Sequence, residues 1–195
     1  MNLYFIRHGE TQYNKDKVYY GSLDCGLTEK GKEQSLKVKE LLKDVEFDSV
    51  YVSERKRTLL TVDLMINQNE IIKTDKRINE INFGDFEGKG YQDICDTYPL
   101  ESKEWENDWK GFCPPKGESY RTFYKRVESF MEDVIKSDEE NILIVTHGGV
   151  IRAAYSYVLG GNLDFYWKFA SSNGDISIIK CEYGNLFIDS ITHVK

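Results

Sequence analysis

Three histidines occur in the 195 residues, and two of them, His8 and His147, share one setting: each follows a strongly apolar run and precedes glycine. In open α/β sheets ligands gather outside the carboxyl ends of the strands. If the two runs are neighbouring strands, both imidazoles face one pocket. The glycines beside them let backbone N–H groups come close to an anion. A single histidine at a strand end is usually structural. Two in matched contexts, with none to spare, point to a shared site for an anionic ligand. His193, near the other end of the sequence, reads as a surface residue.

The bulk composition narrows what that anion is. The formal net charge is −7, so the surface as a whole repels polyanions and lacks the basic footprint of a nucleic-acid binder. A small anion held by a few converging arginines is compatible with it. Hydrophobic residues make up 40% and charged residues 30%, a soluble globular balance. No apolar run approaches the ~20 residues of a membrane span. Residues 1–7 read as a first strand and not as a signal peptide, because no basic segment precedes the short apolar run. Cys25, Cys95, Cys113 and Cys181 form no C-x-x-C pair, which suits reduced thiols in the cytoplasm. Nothing in the sequence speaks to oligomeric state.

The elements that must position the histidines follow from periodicity. Residues 3–6 form a buried strand ending at Arg7-His8-Gly9, followed by a loop through Tyr20-Gly21. Thr28 caps a helix over residues 28–45, with Val38, Leu41, Leu42 and Val45 on one stripe. Strands are expected at 47–52 and 71–74, with a helix at 56–66 between them. Residues 78–90, with three glycines, form a loop. Residues 91–117 are aromatic, acidic and irregular and contain all three prolines. The segment 91–118 is the expected lid of a single domain spanning 1–195. Ser119 caps a helix bearing Tyr120, Phe123, Val127, Phe130, Met131 and Val134. A strand at 141–146, a helix at 150–159 and a hairpin of 176–180 with 186–191 complete the chain. Strands alternating with helices imply an α/β layered fold with a mainly parallel sheet.

Arg7-His8-Gly9-Glu10-Thr11, with Asn14 beyond, resembles the signature of the histidine phosphatase superfamily, the phosphoglycerate mutase-like proteins. The resemblance continues in order through residues 21–28, Ser53 with Arg57 and Thr61, Glu80 with residues 83–88, and Thr146-His147-Gly148-Gly149-Val150. It implies a three-layer α/β/α sandwich and a phosphomonoesterase working through a phosphohistidine. His8 then matches the nucleophile, and Arg7 and Arg57 match the phosphate arginines, whose planar guanidinium groups suit phosphoryl oxygens. His147, taken as protonated, matches a donor to the same oxygens. Glu80 matches the proton donor to the leaving oxygen. Asn14, Tyr20, Gly21 and Gly148 match substrate-binding positions. The run Glu54-Arg55-Lys56-Arg57 reads alone as a solvated helix start, and family spacing from Ser53 selects Arg57 over Arg55. Thr58 stands where the family usually has alanine, a departure expected to touch packing more than chemistry. No metal and no cofactor are expected.

Only about thirty residues separate Gly88 from Ser119, fewer than the mutases carry, which favours transfer to water. Trp105-Glu106-Asn107-Asp108-Trp109, Pro115-Lys116-Gly117-Glu118 and residues 126–130 are similar to the α-ribazole phosphatase group of the superfamily, as is Trp167-Lys168-Phe169. That similarity implies α-ribazole 5'-phosphate of cobalamin nucleotide-loop assembly as substrate, with Trp105 and Trp109 stacking on its base. A helix face packing on the domain explains the same tryptophans without substrate. A broad-specificity phosphatase, a mutase-type phosphotransferase, a metal-dependent phosphoesterase and a non-catalytic phosphate-binding module are the alternatives. The metal reading needs more ligands than two strand ends supply.

Overall fold

A strand that is apolar on both faces needs cover on both sides. Asn141–Thr146 is such a strand: Ile142 and Ile144 enter one buried cluster, Leu143 and Val145 another. The computed structural model, which describes residues 1–66 and 71–194, shows both covers. In chain order the elements are β1 (Asn2–Arg7), α1 (Gln12–Asp16), α2 (Glu29–Leu41), β2 (Ser49–Val52), α3 (Lys56–Met65), β3 (Ile72–Thr74), α4 (Tyr91–Thr97), α5 (Pro99–Asn107), α6 (Tyr120–Val134), β4 (Asn141–Thr146), α7 (Gly148–Val158), β5 (Ile176–Glu182) and β6 (Asn185–Thr192). Single 3-10 turns lie at Lys76–Ile78, Gly84–Phe86 and Leu163–Phe165.

The six strands form one sheet ordered β3-β2-β4-β1-β5-β6, with the first four parallel and β5 and β6 antiparallel. On one face Val38 of α2 and Val62 and Met65 of α3 pack with Ile6, Val50 and Val145. On the other, Phe123, Val127 and Phe130 of α6 and Val150 and Ala154 of α7 pack with Leu3, Phe5 and Ile144. This is the expected α/β/α sandwich, and the register within it brings the histidines together. β1 and β4 are neighbours with Arg7 opposite Thr146, so His8 and His147 leave adjacent strand ends on the same side. β2 lies on the far side of β4, Val52 opposite Val145, which delivers Ser53 to the same rim.

Several bounds differ from the sequence reading. The helix expected over 28–45 ends at Leu41, and Leu42 to Val45 close a turn through the Val45 nitrogen and the Leu42 carbonyl. Phe47 is not in β2; its ring packs edge-on against Tyr4 at 5.3 Å. The helix after His147 starts at Gly148, two residues earlier than expected. Residues 71 and 66 fall outside their expected strand and helix. The largest correction concerns 91–117, expected to be irregular: α4 and α5 occupy much of it. Pro99 does not break a helix there. It sits at the start of α5, where a missing N–H has no partner to lose. The rest of this segment ties back to the loop after Glu80: the Asp85 nitrogen donates to the Pro115 carbonyl and the Glu118 nitrogen to the Asn82 carbonyl, both at 2.9 Å. Gly84, at φ +54°, is required there, because an added Cβ would fall 2.1 Å from the Pro115 oxygen.

Candidate active site

The His8 backbone extends strand pairing by one residue, its nitrogen donating to the Thr146 carbonyl at 2.9 Å. Its Nδ1 lies 2.8 Å from the Gly9 carbonyl oxygen. A carbonyl only accepts, so Nδ1 carries the proton and Nε2 keeps its lone pair. Burial, then Arg57 and Arg7, hold the His8 pKa well below its ordinary value, so the ring is neutral. Gly9 is needed as glycine, since a Cβ would stand 2.2 Å from the Gly31 oxygen.

The His147 ring lies 5.2 Å from that of His8, at 64°. Arg57 Nε donates to its Nδ1 at 3.2 Å, and Ser53 Oγ lies 2.7 Å from its Nε2. A guanidinium cannot accept, so the His147 proton resides on Nε2 and points to Ser53. Burial, then Arg57 and His8, push its pKa well below the ordinary value. The expected protonated His147 is therefore corrected: the ring is neutral, and the positive charge of the pocket resides on the arginines. Thr58 also does more than pack. Its hydroxyl is 3.1 Å from Ser53 Oγ, extending the chain that begins at His147.

Arg57 is 0% exposed. Its Nη1 and Nη2 donate to the carbonyls of Leu23 at 3.0 Å and Gly21 at 2.8 Å, and its guanidinium carbon sits 4.7 Å from the Tyr20 ring centre. Its one ion pair among the described residues is a loose 3.8 Å contact with Asp24. Arg7 Nη1 donates to the Ser171 carbonyl, while its Nε is buried with no partner among the described residues. Gly148 leaves room for this guanidinium, because a Cβ would come 3.3 Å from Arg7 Cζ. Burial lowers the pKa of both arginines, a strain that a bound anion would relieve. Arg55 stands at the N-cap of α3 without a side-chain cap bond; its Nε is buried without a partner among the described residues, and its charge also acts on His147.

Glu80 faces the start of α7. Its Oε2 accepts from the Gly149 nitrogen and its Oε1 from the Ile81 nitrogen, each at 3.0 Å. Gly149 has no space for a side chain: a Cβ would be 2.1 Å from Glu80 Oε1 and 2.8 Å from the Tyr166 hydroxyl. Arg126 holds this loop through the carbonyls of Arg77, Asn79 and Glu80.

The other expected residues fall around this centre. Asn14 Oδ1 accepts from the Thr11 nitrogen at 3.1 Å and from Asn173 Nδ2 at 3.0 Å, and the Tyr20 hydroxyl lies 2.8 Å from Thr11 Oγ1. Gly21 meets Arg57 through its carbonyl, while its nitrogen donates to Glu87. Trp105 packs with Tyr19, Phe83, Phe86 and Phe112, and Trp109 with Tyr120, Tyr166 and Trp167. Both also line one apolar cavity of about 210 Å³, with Tyr19, Tyr91, Tyr120 and Trp167. Tyr166 packs edge-on against Tyr120 at 5.2 Å, and the charge of Glu80 is among those that raise the pKa values of both after burial. Sequence reasoning missed Tyr166, Arg126, Ser171 and Asn173. Ser171-Ser172-Asn173-Gly174 reads only as a turn, and its place beside His8 depends on β5 pairing with β1.

Residues 3–193 match the model of the histidine phosphatase superfamily (branch 1). The adenosylcobalamin/α-ribazole phosphatase of Escherichia coli (strain K12) is 34% identical over 181 residues, 92% of this chain and 89% of that protein. Phosphoserine phosphatase 1 of Hydrogenobacter thermophilus is 33% identical over 185 residues, 93% of this chain and 87% of that protein. The crystal structure of the α-ribazole phosphatase from Shigella flexneri superposes with a TM-score of 0.94 at 32% identity, covering 99% of this chain and 96% of that one.

Proposed function

This chain belongs to the histidine phosphatase superfamily and is a phosphoric monoester hydrolase; we propose that its substrate is a nucleoside-like 5'-monophosphate, with α-ribazole 5'-phosphate best, and that the phosphoryl group passes through His8. The observation that carries the chemistry is the neutral, buried His8, its Nε2 lone pair kept in the field of the fully buried Arg57 and the partly buried Arg7, with only the loose 3.8 Å Asp24 contact pairing Arg57. In this reading Nε2 attacks phosphorus, the ester oxygen departs with a proton from Glu80, and a phosphohistidine remains. Water then attacks phosphorus while Glu80 takes its proton, releasing inorganic phosphate and restoring His8. Arg7, Arg57 and the Gly148 nitrogen hold the phosphoryl oxygens, and an incoming oxygen competes with Ser53 for the His147 N–H. Asn14 and the Tyr20-Gly21 turn hold the substrate side of the pocket.

The aromatic cavity supports the substrate class. Its Tyr120 wall lies within the electrostatic reach of Glu80, the group that would meet the departing alcohol, and the cavity suits a flat heterocycle. The segment 91–118 acts as the lid of a single domain that supplies this wall. Glu106 also lines the cavity, which disfavours a substrate carboxylate. Phosphoserine is the second reading, because a phosphoserine phosphatase is as similar as the α-ribazole enzymes. Among the described residues no helix is long and apolar enough to cross a membrane, and the four unpaired cysteines support a reducing compartment, the cytoplasm. Quenching turnover without acid should trap phosphohistidine in the wild type and none in His8→Ala. Comparing kcat/KM for α-ribazole 5'-phosphate, phosphoserine and 3-phosphoglycerate decides the substrate. Equal values for all three would make this a broad phosphatase.

A further inference from the structure

The turn before β5 holds the active end of β1 from behind. The Ser171 carbonyl accepts from Arg7 Nη1. The Gly174 nitrogen donates to the Arg7 carbonyl and the Arg7 nitrogen to the Asp175 carbonyl, both at 3.1 Å. Asn173 Nδ2 reaches the His8 carbonyl at 3.1 Å and Asn14 Oδ1 at 3.0 Å. Residues 171–175 thus touch Arg7, His8 and Asn14 together.

What fixes this turn is a carboxylate with no solvent contact. Asp175 is 0% exposed. Its Oδ2 accepts from the Ser172 nitrogen and from His193 Nδ1, the latter at 2.8 Å. Its Oδ1 is buried without a partner among the described residues. A carboxylate buried this way is unfavourable unless other charges compensate, and surface packing alone does not call for one. The charge of Asp175 is among those that offset the burial of Arg7. His193, just beyond β6, is 50% exposed and braces the pair from outside.

We propose that Asp175 and His193 are positioning residues for the phosphate site: the pair locks the 171–175 turn and through it the guanidinium of Arg7 and the backbone of His8. Neither touches the reacting atoms. The proposal rests on Arg7 holding phosphate, and inorganic phosphate is therefore the probe.

The test measures inhibition by inorganic phosphate, kcat with p-nitrophenyl phosphate and Tm in His193→Ala, His193→Asn and Asp175→Asn. Loss of the bond in His193→Ala should raise the phosphate inhibition constant roughly five-fold or more and lower kcat. His193→Asn places an amide N–H where Nδ1 stood and should restore both values to near wild type. If His193→Ala does not fold, Asp175→Asn reads the same effect, since it keeps the shape and removes the charge. A lower Tm with unchanged phosphate inhibition and kcat overturns the proposal, as does an Asn variant no better than Ala. Failure of the phosphohistidine reading itself would show differently, as normal turnover in His8→Ala.

Discussion

The Gly149 nitrogen is hydrogen-bonded to Glu80 Oε2 at 3.0 Å, so the carboxylate is fixed by the helix that begins after His147. Its aim toward a leaving group is set by backbone and not by a flexible side-chain partner. Glu80→Gln should therefore slow an alkyl phosphate by about 10²–10⁴-fold. It should slow p-nitrophenyl phosphate far less, because nitrophenolate departs without a proton. Equal losses on the two esters would assign Glu80 to binding. Gly149→Ala should show the same leaving-group pattern, since its Cβ would displace the carboxylate.

Arg57→Ala should lower kcat/KM by orders of magnitude, the loss of one charged contact in a water-poor site being worth about 3–4 kcal/mol. Arg55→Ala should be much milder. Arg57 joins His147, Gly21, Leu23 and Tyr20 into one wall by direct contacts, whereas Arg55 Nε has no hydrogen-bond partner among the described residues and acts on His147 through its charge. Similar losses at both positions in steady-state kinetics would place the phosphate arginine wrongly.

The two buried neutral histidines make stability depend on pH. Both have folded pKa values well below 6.5, so below pH 6.5 the unfolded chain binds protons that the folded chain refuses. Stability should fall as pH drops from 6.5 toward the folded values, by about 1.4 kcal/mol per pH unit for each histidine, and should not change from this cause above 6.5. Denaturation curves between pH 7 and 5, with His8→Asn as the comparison, measure the slope; about half of it should vanish in the variant.

The aromatic wall gives a prediction about selectivity. Trp109→Ala should reduce the preference for α-ribazole 5'-phosphate over ribose 5-phosphate several-fold, as loss of a stacking contact of roughly 1 kcal/mol or more requires. Trp105 is more deeply engaged with Phe83, Phe86 and Phe112. Trp105→Ala should therefore lower Tm as well as selectivity. Unchanged ratios of kcat/KM in both variants would leave these rings with a packing role alone.

The residues that announced themselves in sequence are those whose type carries the signal. His8, His147 and their glycines stood out because imidazole and a missing side chain have few cheap uses at a strand end. The helix of Tyr120–Val134 was legible because its apolar stripe is long and its cap is a serine. What escaped was what only three dimensions create. Asp175 and Asn173 look like ordinary turn residues until an antiparallel strand is laid against β1. The protonation of His147 was misjudged because its state depends on Arg57 donating to it across ninety residues of chain. Residues 91–117 read as irregular because proline and acidic residues count against a helix interior, while Pro99 in fact occupies a helix start.

The central place of β1 in the sheet has a temporal consequence. Asn2 pairs with Asn141 on one side and with Lys180 on the other, so the strand that carries His8 waits for partners from the far part of the chain. Such distant pairing closes large loops and slows folding. Until it happens, His8 is an ordinary solvated imidazole that protonates near neutral pH, with Arg7 beside it in the chain but Arg57 far away. The pocket is complete only once these distant pairings form, and on refolding from denaturant, catalytic activity should return with the slowest phase that also restores tertiary packing.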